Sequence, residues 1–168
     1  MPLLLRTIRK SKWYGHEGVP WLPDGELQAD ALDDLKTTNN ILSVWVVDDD
    51  RENLEQVVIA QAACRDSFAH VDYALFDQQI LSELGIKFEP SPGETPDEEA
   101  NSNWHIDLTE LTASQRFKLA TTIMAEADRK RFPKKDIEEQ IIEAVWSKQL
   151  NLKKMHKKLQ EKIQAQIS

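Results

Sequence analysis

The sequence predicts an α/β or α+β fold, in which a small mixed sheet of about four to five strands is covered by helices and followed by a C-terminal bundle of three helices. Three observations carry this prediction. Strand-like and helical patterns alternate up to residue 111, and only helical periodicity follows. Five tryptophans among 168 residues indicate a packed core, because aromatic side chains bury large areas.

The first part, residues 1–111, is predicted to be an α/β body with an acidic surface. Strands are predicted at 3–8, 41–47, 68–76, 86–88 and 104–108, and helices at 27–40, 52–64 and 78–84. The segment 41–47 is almost entirely apolar, which indicates a strand that is covered on both faces. Gly85 occupies the position that commonly ends a helix. The segment 89–103, rich in proline and acidic residues, is predicted to be an exposed, mobile loop.

The second part, residues 112–168, is predicted to be a helical cap packed on the body as one unit. Thr112 and Gln115 match a capping box at the start of its first helix. Pro133 restarts a second helix at the favoured first position, and a third helix begins near residue 152. Leu152, Met155, Leu159 and Ile163 form the apolar stripe of that third helix and are the candidate residues for binding a partner.

The net charge of −8 is unevenly distributed. Residues 24–99 hold 19 acidic against 4 basic side chains, whereas residues 112–168 hold 13 basic against 7 acidic ones. This asymmetry predicts an acidic body with a basic tail. The basic residues around 129–135 raise the alternative of nucleic-acid binding, but the acidic balance of the whole chain argues against it.

Cys64 is the only cysteine, so no intrachain disulfide can form, and the sequence favours a cytoplasmic protein. Its apolar helical surroundings predict a small buried thiol. The N-terminal residues lack the charge order of a secretory signal, and no apolar stretch approaches the length of a membrane span, so we expect no membrane partner.

Two copies of a His-X-Asp tripeptide are the strongest candidate for chemistry. His70 and Asp72 lie in one predicted strand, and His105 and Asp107 lie in another. Residues two apart in a strand share a face, so each histidine is expected beside its aspartate. If the two strands were neighbours, the four side chains could hold a divalent metal or serve as general acid and base. His16 is a further candidate ligand.

The segment 46–54 resembles the opening strand and acidic cluster of phosphoacceptor receiver domains. The resemblance implies a Mg²⁺ site at the acidic run 48–50. The chain departs from the receiver pattern afterwards, because Asp77 arrives too early for the acceptor residue and the strand–helix alternation stops. Acidic side chains placed near a helix start are the preferred interpretation of this run.

Phosphate-binding glycine loops, nucleophile elbows and zinc-binding cysteine pairs are absent from the sequence. The preferred hypothesis is therefore a non-enzymatic cytoplasmic interaction protein, an adaptor or accessory that binds a protein partner or a second copy. No cofactor is expected under this hypothesis. The alternative is a small metal-dependent hydrolase or phosphoesterase that uses the paired His-X-Asp strands. A weaker alternative is nucleic-acid binding through the basic C-terminal helices.

Overall fold

A computed structural model describes residues 1–15 and 18–168. Its centre is one six-stranded sheet with the order β4-β5-β2-β1-β3-β6, and every neighbouring pair is antiparallel. The strands are β1 (Leu3–Thr7), β2 (Leu42–Val47), β3 (Val71–Asp77), β4 (Lys87–Pro90), β5 (His105–Thr109) and β6 (Asp128–Phe132).

The helices cover both faces of this sheet. They are α1 (Leu54–Ala62), α2 (Gln79–Glu83), α3 (Glu98–Asn103), α4 (Ala113–Glu126), α5 (Lys134–Trp146) and α6 (Lys157–Ile167), with 3₁₀ helices at Lys10–Trp13, Ala29–Leu35 and Leu152–Lys154. We call the side covered by α1, α3, α5 and α6 the α1 face. The side covered by α2, α4 and the 3₁₀ helix Ala29–Leu35 is the α4 face.

Each face has its own hydrophobic core, and the alternation of side chains along the central strands supplies both. Leu5 and Val47 point to the α1 face, whereas Leu4 and Val44 point to the α4 face, and all four are fully buried. The prediction that 41–47 forms a strand covered on both faces is confirmed. Among the described residues, no helix combines the length and the apolar character needed to cross a membrane.

The predicted fold class is confirmed, but the sheet is larger than predicted and contains no parallel pair. The additional strand is β6, which lies between α4 and α5 and pairs with β3. Because β6 intervenes, α4 packs on one face of the sheet while α5 and α6 pack on the other. The C-terminal helices thus do not form a bundle of their own, and residues 112–168 contribute a strand to the same sheet as residues 1–111.

The segment 89–103 differs from the predicted exposed loop. Its first residues complete the edge strand β4, and its last residues form α3. Thr95, which lies between these two elements, and Asn101 of α3 are buried and joined by hydrogen bonds, including one of 2.6 Å from the threonine hydroxyl to the Asn101 side-chain oxygen. Proline and acidic residues predicted an exposed loop, whereas Asp97 of this segment accepts hydrogen bonds from Gln56 of α1 and from Gln149 and so attaches the segment to the α1 face.

Candidate functional site

The two His-X-Asp tripeptides do not form one site. In the sheet, β2 and β1 stand between β5 and β3, which places the motif strands about 14 Å apart at the usual strand spacing. The motifs also point in opposite directions. Asp72 lies on the α4 face, beside the segment that leads from β1, whereas His105 and Asp107 share the α1 face with Trp45 and Ser43.

The first motif is part of an ion pair that attaches β6 to the sheet. The carboxylate of Asp72 accepts hydrogen bonds from Arg131 at 2.7 and 3.1 Å, in bidentate geometry, and from the backbone N–H of Lys10 at 3.1 Å. Burial by itself raises the pKa of the Asp72 carboxyl, but these hydrogen bonds outweigh it and lower the pKa below its ordinary value. His70 is exposed, with Nε2 3.8 Å from Asp72. The oxygens of Asp72 are therefore already occupied.

The second motif faces an open cleft of about 300 Å³ on the α1 face. The cleft is lined by Ser43, Ser91, Pro92, Gly93, Glu94, His105 and Asp107. Nδ1 of His105 lies 2.8 Å from the carbonyl oxygen of Ser91. A carbonyl can only accept a hydrogen bond, so Nδ1 carries the proton and Nε2 is the acceptor nitrogen of the neutral ring. The ring also contacts Trp45 edge-on, with centroids 4.9 Å apart.

Serine, histidine and aspartate all line this cleft, but they are not arranged as a catalytic triad. The hydroxyl of Ser43 donates to the carboxylate of Asp107 at 2.8 Å, whereas a nucleophilic serine donates to the imidazole. Nothing in this contact prepares the hydroxyl for attack. The arrangement offers polar recognition by one imidazole nitrogen and one carboxylate.

The described residues contain no group of three or more His, Cys, Asp or Glu side chains arranged to hold a metal ion. The separation of the two motifs accounts for this at the predicted site. His16, the further candidate ligand, lies outside the residues that the structure describes.

The acidic run 48–50 makes local contacts near the start of α1. The Asp50 carboxylate accepts a hydrogen bond from the backbone N–H of Glu52, and the Asp48 backbone N–H donates to the side chain of Asn53. A receiver domain requires a parallel sheet, and the wholly antiparallel sheet here contradicts that resemblance.

The four candidate partner-binding residues belong to the protein's own core. Met155, Leu159 and Ile163 are buried on the α1 face, and Leu152 is partly buried against them. The amphipathic pattern was interpreted as a surface for a partner, whereas these side chains pack into the core of the α1 face. In the folded chain these side chains are not available to another protein.

Cys64 also differs from its prediction, because its side chain is exposed just beyond the end of α1. It lies at the rim of a second open cleft of about 400 Å³, together with Thr7, Trp45 and Arg65. Partial desolvation raises the pKa of the Cys64 thiol, which keeps it protonated near neutral pH.

A fully buried carboxylate connects three elements on the α1 face. Asp97 caps α3 by accepting a 2.9 Å hydrogen bond from the Ala100 N–H, and it also accepts from the side-chain amides of Gln56 on α1 and Gln149 beyond α5. It borders an open cavity of about 720 Å³ between α3 and the residues that follow α5. Sequence reasoning missed this residue, although its position just before Glu98 and Glu99 is a typical helix-cap signal.

The remaining distinctive surface is a basic edge of the sheet. We define the basic edge as Arg129, Lys130 and Arg131 of β6 with Lys10 and Lys134 beside them. Lys130 and Arg131 are half exposed, and the nearest carboxylate partners are Asp128 and Asp72. The strand was missed because its charged residues have low β-propensity. The sequence did leave room for this strand, because five residues, 128–132, lie between the end of the helical pattern of α4 and Pro133.

Comparison with known proteins gives no relative for this chain. No protein-family model matches it, and neither the curated proteins nor the solved structures contain a match.

Proposed function

We propose that this protein is a non-enzymatic cytoplasmic interaction protein, an adaptor or accessory that acts by binding another protein. The observation that carries the proposal is the basic edge. The chain has a net charge of −8, yet cationic side chains concentrate on the edge strand β6 and on the segments beside it. A local patch of the opposite sign to the rest of the surface orients an approaching partner and raises the rate of association.

The geometry of the two motifs supports the same proposal. The metal-dependent hydrolase alternative relied on four ligands in one pocket, and the sheet order places the two pairs on separate strands and on opposite faces. The cysteine content agrees with a reducing compartment, since the chain has no second cysteine with which Cys64 could form a disulfide.

Co-purification followed by reconstitution tests the proposal. The full chain would be used as bait in extracts of its native host, and each retained protein would be purified and mixed with it at equal concentration. Size-exclusion chromatography with light scattering would then report the mass of the complex. We expect one partner to co-elute at a fixed stoichiometry. A strictly monomeric chain that forms no complex with any purified candidate would contradict the proposal.

A further inference from the structure

β6 is an edge strand with free backbone groups. It pairs with β3 on one side, and none of the described strands lies on its other side. The Ile8 N–H donates to the Asp72 carbonyl, so the backbone groups of Asp72 face β1, and by alternation those of Tyr73 face β6. Tyr73 is paired with Lys130. The N–H and C=O groups of Arg129 and Arg131 therefore point away from the sheet.

Within residues 1–15 and 18–168, no backbone or side-chain group forms a hydrogen bond with these four outward groups. The opposite edge of the sheet differs. The strand β4 has four residues, and Pro90, which pairs with Ile106, has no N–H to donate. Of the two edges, β6 is the one that can offer an uninterrupted ladder to an added strand.

The side chains of β6 discriminate between occupants of this edge. A second copy paired antiparallel about Lys130 would place Lys130 opposite Lys130 and Arg129 opposite Arg131. Like charges directly opposite one another destabilise a strand pair, so these residues disfavour association of two identical edges. The same charges attract a strand that carries carboxylates at the opposing positions. Lys130, half exposed and at the middle of the strand, is the side chain such a carboxylate would meet first.

We infer that β6 binds an extended acidic segment of another protein, which joins the sheet as a seventh strand. This inference rests on the proposed function and names the surface and the chemistry of the partner. Backbone hydrogen bonds to Arg129 and Arg131 hold the added segment in register, and acidic side chains opposite residues 129–131 provide its selectivity. Lys10 and Lys134 extend the positive potential on either side of the strand.

The experiment uses a displayed library of acidic heptapeptides in which Asp or Glu alternates with Val, Ile or Thr. Peptides enriched on the full-length protein would be synthesised, and their Kd values would be measured by fluorescence anisotropy. The test variant is Lys130→Glu, and the matched control is Lys135→Glu, which makes the same charge change on an exposed helical lysine of α5. We expect Lys130→Glu to weaken binding about tenfold or more and Lys135→Glu to change it far less.

A scan of singly N-methylated peptides separates strand addition from general charge attraction. Alternate N–H groups of an added strand face β6, so N-methylation should abolish binding at every second position and spare the positions between. Failure to enrich acidic peptides, equal binding by Lys130→Glu, or a loss without period two would overturn the inference. Lys130→Ala, which removes the charge without reversing it, should give an intermediate loss.

The inference and the proposed function fail in different ways. If a reconstituted complex forms but is insensitive to Lys130→Glu, the protein binds its partner through another surface and only the inference is overturned. If no complex forms at all, the proposed function is contradicted as well. Thermal melts of both lysine variants test whether either substitution unfolds the protein. We expect that neither does, because at least half of each lysine side chain is exposed to solvent.

Discussion

Asp72 and Asp107, the carboxylates of the two His-X-Asp motifs, lie on opposite faces of the sheet with two strands between their own. The repeated tripeptide thus arises from strand alternation and not from a shared site. On both strands the residue between histidine and aspartate is an apolar residue that faces a core. The polar residues simply occupy the alternate positions, and their chemical environments differ completely.

This separation predicts no shared metal site. The wild-type protein would be melted first in EDTA and then with Zn²⁺, Mn²⁺ or Mg²⁺ in place of EDTA. We expect that no rise in melting temperature on adding a metal depends on the two histidines, so the His70→Ala/His105→Ala variant should respond to each metal as the wild type does. A ligand that binds only the folded state raises the melting temperature, and histidines on opposite faces cannot share one ion. Thermal melts with each metal provide the measurement. A metal-dependent rise that disappears in the double variant would contradict the geometry.

The ion pair between Asp72 and Arg131 predicts a specific acid sensitivity. The pKa of Asp72 is lowered in the folded state, so the unfolded chain binds more protons at pH values between the folded pKa and about 3.9. The contribution of this carboxylate to the free energy of unfolding is fully present above its pKa in the unfolded chain. It is lost as the pH falls through its pKa in the folded protein. Asp72→Asn should destabilise the protein by about 1–3 kcal/mol at neutral pH and flatten its acid dependence.

Urea unfolding at a series of pH values between neutrality and 2 measures this effect. Arg131→Gln is the informative comparison, because it removes the partner that lowers the pKa of Asp72 and should flatten the same part of the curve. Equal pH dependence in the wild type and in Asp72→Asn would show that this ion pair does not cause the loss of stability at acidic pH.

Local patterns predicted most of the fold. The apolar run that became β2, the capping box of α4 and the positive φ of Gly85 after α2 are each determined by residues close in sequence. The neighbours of each strand are not, because pairing depends on contacts between distant residues. The antiparallel order and the separation of β3 from β5 could therefore not be predicted from the motifs alone.

Two interpretations failed for a related reason. The stripe of Leu159 and Ile163 has the same pattern whether the chain or a partner covers it, and only the fold shows that the α1 face does. The strand β6 has no apolar alternation that could predict it. It forms because pairing with β3 and the Asp72–Arg131 ion pair hold it in place. Propensity is a weak guide where tertiary contacts determine the conformation.

Asp97 predicts a large effect from a single buried carboxylate. Asp97→Ala removes the α3 cap, leaves the side-chain amide of Gln149 without its acceptor and leaves that of Gln56 with Glu99 alone, which should cost about 2–4 kcal/mol. Asp97→Asn keeps the capping oxygen and should cost less. Urea midpoints of both variants test this order. A control is Glu99→Ala, because Glu99 is exposed on the same helix and accepts from Gln56 only at the surface. Equal losses in Asp97→Ala and Glu99→Ala would contradict the connecting role of Asp97.

The position of α6 predicts that its apolar stripe stabilises the fold. Leu159 is completely buried, so Leu159→Ala should lower the free energy of unfolding by about 2–5 kcal/mol through lost burial and the cavity it creates. Ile167 on the same helix is 38% exposed, and Ile167→Ala should cost less than about 1 kcal/mol. Urea unfolding of both variants measures the difference. If Leu159→Ala were as stable as the wild type but lost a partner in the reconstituted complex, the stripe would serve as a binding surface after all.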